Sequence, residues 1–385
     1  MTKRSHGEGT ILQRGENSYR LRYRVDGQRH SVTFKGNISE ARKKLRELLK
    51  SGDDGTHVEP SKMTVTEFVR ERVNQWEASG QISARTAERH RYSVDNQIVP
   101  HIGDKQLQKL RPLDIETWHT ILRTKGRAGG TAGITARTIG HAHRVLSKAL
   151  NDAVKNNLLL TNPAKVHAAP KVPDVEMFIA QDVPGLVAEL AASAGRLYIP
   201  AMVSLFTGMR RGEILALRWG RVDLDGKLIK VREAIEPTEA HGLRFKAPKS
   251  KAGRRDITLP DILLNVLRDY RKEQLELRLK LGAGKLQAED LLFSDIEGGP
   301  LSANAFSAAW SDYAAKIGMP ELTFHALRHT HASQLIDAGV DIVTISKRLG
   351  HAKPDITLRI YAHLFRKDDS KAAAAINATL GTFHS

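Results

Sequence analysis

Two stretches of this chain read as breaks in regular structure, and they decide what it can become. Ser51 to Pro60 carries Gly52, Gly55 and two aspartates, and Asn162-Pro163 is followed by a proline-bounded run from His167 to Pro173. Both read as linkers. The 385 residues suffice for two or three domains of ~150 residues each, and the three pieces between the breaks differ in their periodicity.

In the first piece, Tyr19, Leu21, Tyr23 and Val25 alternate with Arg20, Arg22 and Arg24, the period of a half-buried strand. Asp26-Gly27 marks a tight turn, and Val32 and Phe34 continue on a second strand. Ser39 is placed to cap a helix whose Ile38, Ala41, Leu45, Leu48 and Leu49 form one apolar stripe. The second piece reads as all helical, with segments near Thr66–Ser79, Thr86–Ile98, Leu113–Thr124 and Ala136–Asn156. Pro100 with Gly103, and then a glycine cluster from Gly126 to Gly133, are read as the breaks between them. The third piece is mixed but mostly helical, with one short sheet expected from Lys227–Ala234, Gly242–Lys246 and Arg254–Leu259. Gly282-Ala283-Gly284-Lys285 lacks the spacing of a phosphate loop and reads as the turn after a helix ending near Leu281. The expected fold is multidomain and mainly α: a small N-terminal sheet plus helix, an all-helical domain, and a mixed α/β domain.

Sixty Lys and Arg against 43 Asp and Glu leave a net charge of +17, which points to a polyanionic partner. The first fifty residues hold thirteen basic and five acidic side chains, so the sheet with Arg20, Arg22 and Arg24 is expected to face DNA. A membrane is not the expected partner. The longest nearly unbroken apolar stretch, Leu197 to Phe206, is far short of the ~18 residues that span one. No signal-peptide pattern opens the sequence, and a cytosolic nucleic-acid protein is expected. The absence of cysteine removes disulfides, thiolate nucleophiles and Cys-ligated zinc.

Four fragments of the third piece carry chemistry. Thr207-Gly208-Met209-Arg210-Arg211-Gly212-Glu213 follows an apolar run, and Lys249 and Lys251 sit in an expected hairpin. His325-Ala326-Leu327-Arg328-His329 begins a helix with Thr323 as N-cap, and His331 falls on its core stripe. Leu349-Gly350-His351 precedes Ile360-Tyr361-Ala362-His363 by ten residues. Taken singly each is weak: HxxR is often a surface pair, adjacent arginines a charged turn, and a helical tyrosine a packing residue.

In this order the fragments resemble the tyrosine recombinase (phage integrase) family, in its larger form with an N-terminal arm-binding domain. The resemblance extends to the helical piece, similar to that family's core-site DNA-binding domain. It implies an arm-type DNA-binding domain over 1–55, a core-site domain over 62–165 and a catalytic domain over 175–385. It also implies an enzyme for DNA recombination and integration that needs no cofactor and no metal. Its expected partners are double-stranded DNA at attachment core and arm sites, itself as a tetramer at synapsis, and a directionality factor.

Rejoining DNA without an energy source requires that the bond energy be stored covalently, here as a 3′-phosphotyrosine on Tyr361. A phenol with a free pKa of ~10 needs assistance at neutral pH. The resemblance gives Arg210 and Arg328 the clamping of the phosphate oxygens. His325 becomes the general base or hydrogen-bond partner of the nucleophile, and His351 a donor to the phosphate. Lys249, with Lys251 as the alternative, would protonate the departing 5′-oxygen. Glu213 would hold the site in shape. Two rivals differ in class. A purely DNA-binding regulator needs neither Tyr361 nor the arginine pair. A metal hydrolase on His325, His329 and His331 lacks the acidic general base that HExxH supplies.

Overall fold

The computed structural model of the chain describes residues 9–25, 27–54, 58–126, 130, 132–173, 177–239, 242–248, 251–364 and 370–380. The fold divides into two compact units, Met1–Asp174 and Val175–Ser385.

The first unit contains two separate apolar cores. Strands β1 (Thr10–Gly15), β2 (Ser18–Val25) and β3 (Gln28–Lys35) form an antiparallel sheet with β2 in the centre. Tyr19, Leu21, Tyr23 and Val25 are buried against Ala41 and Leu45 of helix α1 (Ile38–Asp53), so the alternation in β2 points as expected. Arg22 and Arg24 stand exposed on the opposite face, and Arg20 donates to Ser31 Oγ at 3.3 Å. Strand β1 escaped sequence reading because it lies at the sheet edge and its TILQRG shows no apolar alternation. The cap of α1 is Asn37, not Ser39. Asn37 Oδ1 accepts the Glu40 N–H and the Glu40 carboxylate accepts the Asn37 N–H, both at 2.9 Å, which closes a capping box two residues earlier. Asp26, in the expected turn, lies outside the described residues.

The second core is helical: α2 (Val65–Ala78), α3 (Ala84–Ser93), α4 (Val99–Ile102), α5 (Pro112–Thr124) and α6 (Ala136–Lys155) surround Trp76, Trp118, Leu146 and Leu150. Pro100 does not end a helix here. A π-helical turn, Val94–Ile98, joins α3 to α4 and carries the chain past the missing N–H, and Gly103 follows as the cap. Inside this core His119 Nε2 meets His143 Nδ1 at 3.1 Å. The rings of His90 and His141 lie 5.3 Å apart.

The second unit is built around α8 (Tyr198–Thr207), the apolar run of the sequence, which is buried on nearly every side. Helices α7 (Val183–Ser193) and α9 (Arg211–Leu215) flank it in sequence. The single expected sheet is in fact two. Strands β4 (Val222–Asp223), β5 (Leu228–Val231) and β8 (Arg255–Thr258) form one, and β6 (Ala234–Thr238) with β7 (Gly242–Lys246) forms a separate hairpin. The chain leaves β5 at Arg232, whose guanidinium caps the Val231 and Arg255 carbonyls at 3.0 Å, and ladder pairing restarts only in the hairpin. Helix α10 (Asp261–Leu281) is followed by the expected turn, and Gly282, at φ 66°, is its C-cap. Helices α11 (Ala303–Lys316), α12 (Phe324–Asp337), α13 (Ile342–Leu349), α14 (Pro354–Tyr361) and α15 (Ser370–Leu380) complete the chain. Among the described residues no helix is long and apolar enough to cross a membrane.

The buried histidines make the helical core sensitive to acid. Burial, followed by neighbouring cations, lowers His119 and His141 from 6.5 to about 4. The unfolded chain therefore takes up protons that the folded chain refuses, and stability present above pH 6.5 is lost as pH falls toward 4. Hydrogen-exchange protection of α5 and α6, corrected for intrinsic rates, is expected to drop between pH 7 and pH ~5. His119→Gln should flatten that drop; equal protection at both pH values in the parent protein would refute it.

Candidate active site

The second unit gathers the sequence-derived residues at one place, where three chain segments meet: the α8–α9 turn, the N-terminal half of α12, and the α13–α14 turn. Gly208 ends α8 at φ 66°, and a Cβ there would lie 2.7 Å from His331 and from Leu349, so only glycine lets the segments approach. The turn delivers Arg210 to the N-terminus of α9. Arg210 donates from its backbone N–H to Glu213 Oε2 at 3.0 Å and from Nη1 to Oε1 at 2.9 Å.

Glu213 is 4% exposed and also accepts Arg255 Nη2 at 2.9 Å. Burial opposes its charge, but Arg255 and Arg210 outweigh that and hold its carboxyl below the usual range. Arg255 was not anticipated as a site residue. It donates onward from Nε to the Arg348 carbonyl at 2.6 Å and from Nη1 to the Gly253 carbonyl at 3.2 Å. One arginine thereby ties β8 and the lysine-bearing turn to Glu213 and to the end of α13. Its signal was present: Arg255, Ile257 and Leu259 share one strand face, and the latter two are core residues.

Thr323 caps α12 as expected, accepting the Ala326 N–H at 3.2 Å. Arg328 is 2% exposed and spends its donors on the Gly208 carbonyl, the Leu349 carbonyl at 2.8 Å and His351 Nε2 at 2.9 Å. Burial, with Arg210 adding to it, brings Arg328 down to about 9, so it remains cationic at neutral pH. A guanidinium can only donate, so His351 Nε2 accepts, and the proton of a neutral His351 sits on Nδ1, directed at Thr357 Oγ1 2.7 Å away. Burial, then Arg328, Arg210 and Arg255, lowers His351 to about 4. In this arrangement neither nitrogen of His351 offers the phosphate a proton, and the ring acts as a prop for Arg328. His331 is the core histidine expected: it donates to the Leu205 carbonyl at 2.9 Å and accepts from Arg348 Nε at 3.0 Å.

Tyr361 is the last residue of α14 and is 1% exposed, packed among Ala332, Ile336, Ile345 and Leu349. Burial pushes its phenol up to about 12, with Arg328 pulling the other way. Its hydroxyl lies 2.7 Å from Nδ1 of His329, not against His325, the histidine assigned to it from sequence. His325 stands one helical turn earlier, its ring centroid 4.7 Å from that of His329 and nearly perpendicular to it. Burial first, then His329, Arg328 and Arg210, lowers His325 to about 4. The shared face of His325 and His329 was legible; which of the two meets the tyrosine depends on how α14 packs on α12.

Lys249 lies outside the described residues. Lys251 is exposed in a 3-10 turn, Lys251–Gly253, whose Ala252 carbonyl would be 3.1 Å from a Cβ on Gly350. Tyr313 donates to the Glu189 carbonyl at 3.4 Å in the core of the same unit. Arg20, Arg22 and Arg24 belong to the first unit.

The phage integrase family model matches residues 177–368, and the model of the phage integrase N-terminal SAM-like domain matches residues 68–123. An integrase of Streptomyces ambofaciens is 28% identical over 384 residues, covering 94% of this chain and 94% of the relative. A XerC-like tyrosine recombinase of Caldanaerobacter subterraneus is 27% identical, over 70% of this chain and 71% of its own. The fold also matches the Tn1549 transposon integrase in complex with a circular intermediate DNA, with a TM-score of 0.66 at 18% identity over 83% of this chain and 99% of that one. A λ integrase dimer bound to a core site matches with a TM-score of 0.53 at 18% identity, over 76% and 97%.

The Glu213–Arg255 pair is buried on both sides, at 4% and 6% side-chain exposure. Removing one partner of such a pair typically costs about 3–5 kcal/mol, because the other charge is left without compensation. Arg255→Met is expected near the lower end, since Arg210 still meets Glu213. Denaturant unfolding of the second unit would measure it, and an unshifted midpoint would show that the pair does not hold the site together.

Proposed function

We infer the roles of the site residues from one premise: the chain belongs to the phage integrase family of tyrosine recombinases, and it is a site-specific recombinase. We propose that Tyr361 attacks a phosphodiester of duplex DNA, forming a 3′-phosphotyrosine and releasing a 5′-hydroxyl that later attacks back. One observation carries this assignment. The adjacent residues Arg328 and His329 of α12 hold, respectively, a cationic fork and the hydroxyl of Tyr361. The phosphate clamp and the residue that meets the nucleophile are thereby adjacent positions of α12.

Arg210 and Arg328 clamp the non-bridging oxygens and offset the charge of the pentavalent state. Glu213 orients Arg210, and His351 orients Arg328. His325, kept neutral, packs edge to face on His329, which meets the nucleophile. A lysine of the turn before β8 protonates the leaving 5′-oxygen. Lys251 is supported by the approach of its neighbour Ala252 to Gly350, next to His351; Lys249 is the other candidate. The helical domain, residues 62–165, holds the core site. The sheet domain, residues 1–55, holds arm-type DNA through Arg20, Arg22 and Arg24. Four copies act together at synapsis in the bacterial cytoplasm, and a directionality factor sets integration against excision of a phage or other mobile element.

Incubating the full chain with a random-sequence duplex library, denaturing, and mapping the DNA ends left on protein tests the reading. The parent protein should carry 3′-linked DNA and Tyr361→Phe none. An adduct on Tyr361→Phe would move the nucleophile elsewhere, Tyr313 being the next candidate. Arg210→Ala should bind the recovered sequence yet cleave about 10²–10³-fold more slowly. Separately, replacing Arg20, Arg22 and Arg24 by Ala should reduce the slope of log affinity against log salt by about 0.9 for each phosphate no longer neutralised. An unchanged slope would remove the sheet face from the DNA interface.

A further inference from the structure

We propose that His329 is the base that takes the phenol proton from Tyr361 as the nucleophile attacks, an assignment that rests on Tyr361 being the nucleophile. The hydroxyl and His329 Nδ1 are 2.7 Å apart, within the range for direct proton transfer. A phenol pushed up to about 12 keeps its proton at neutral pH, and the contact places that hydroxyl where it can donate to Nδ1. In the proposed arrangement the ring proton of neutral His329 resides on Nε2 and Nδ1 presents its lone pair to the hydroxyl. The acceptor orbital then points at the proton that must leave.

The surroundings suit a base that picks up a proton only for the duration of the step. His329 faces His325 and Arg328 from its own helix and Tyr361 from α14. Burial and then the Arg328 charge lower its pKa, so it enters the reaction neutral. The imidazolium formed beside Arg328 is disfavoured, which drives the proton back when ligation regenerates the phenol. In the forward step the Tyr361 O–H bond breaks and its proton passes to Nδ1. The phenol oxygen bonds to phosphorus, the P–O5′ bond breaks, and the 5′-oxygen takes a proton from the lysine. The reverse step returns each proton to its source, so no net proton or redox partner is needed.

His325 is the competing base, and it shares a helix face with His329. It is displaced by one turn, meets His329 edge to face, and feels Arg210 in addition to Arg328. The hydroxyl's partner is His329.

The test uses the full chain and a nicked duplex carrying the sequence recovered from the random library, with sulfur in place of the bridging 5′-oxygen. Sulfur leaves without a proton, so the pH profile of single-turnover cleavage reports the nucleophile side alone. The parent protein should show a rate that is flat above pH ~6.5 and falls tenfold per unit in acid, as His329 protonates. His329→Asn and His329→Ala should bind the same duplex, cleave about 10²–10⁴-fold more slowly at pH 7, and gain tenfold per pH unit across pH 7 to 9. Asn is included because it can hydrogen-bond the phenol but cannot take its proton. A His329→Asn protein with the parent's flat profile would reduce His329 to a positioning role and overturn the proposal. So would a parent rate that already climbs tenfold per unit above pH 6.5, a measurement that does not depend on any variant folding. If His325→Asn alone acquires the rising profile, the base is His325. Failure of the underlying reading looks different: Tyr361→Phe would then still form the covalent adduct.

Discussion

A single buried carboxylate makes the rest of this site possible. Arg210, Arg255 and Arg328 converge on one region of the second unit, with Arg348 close behind, and the influence of each guanidinium on its neighbours is unfavourable. Glu213 is the anion among them, accepting from two of the three and buried itself. Such a pair gains little over an apolar replacement in pure stability, because desolvation consumes most of the Coulomb attraction. What it provides is geometry. Glu213 fixes Arg210 relative to α9, and Arg255 relays that position to β8 and to the end of α13. Backbone carbonyls at Gly208 and Leu349 then do for Arg328 what Glu213 does for the other two.

The parts of this arrangement that were legible in the sequence share one property: local spacing determines them. Alternation placed Tyr19 to Val25 on a half-buried strand, and Thr323 announced the start of α12. The order of Arg210, the HxxR pair and Tyr361 carried the family. The segment from Gly282 was correctly read as the turn after a helix because the residues on both sides of it fixed the alternatives. Where several local solutions were nearly equal in free energy, the reading strayed. Asn37 and Ser39 are both good N-caps, and only Glu40 at the third position after Asn37 decides between them. Pro100 breaks an ideal α-helix, but a π-turn lets a helix pass it, and that choice belongs to the packing of Val94 and Ile98 in the core.

Contacts between distant segments were hidden for a different reason. Which of His325 and His329 touches Tyr361 is set by the way α14 lies on α12, thirty-two residues apart in the chain, and periodicity within α12 cannot express it. Arg255 was concealed by its chemistry, since a charged residue on a core-facing strand position looks like an exception until its acceptors are known. The tautomer of His351 was likewise a matter of partners. Only Arg328 on one side and Thr357 on the other show that its proton is already engaged.

The burial of Tyr361 has a consequence for how such a protein lives among DNA. A chain with a charge of +17 spends its time against phosphates, nearly all of them belonging to sequences it has no reason to cut. An exposed, ionised phenol beside two guanidiniums would be a hazard on every such encounter. Here the hydroxyl is protonated, turned inward and held on a histidine, while the donors of Arg328 are committed to the protein's own carbonyls. A phosphate that meets the resting protein therefore finds the phenol buried and protonated and the central guanidinium engaged.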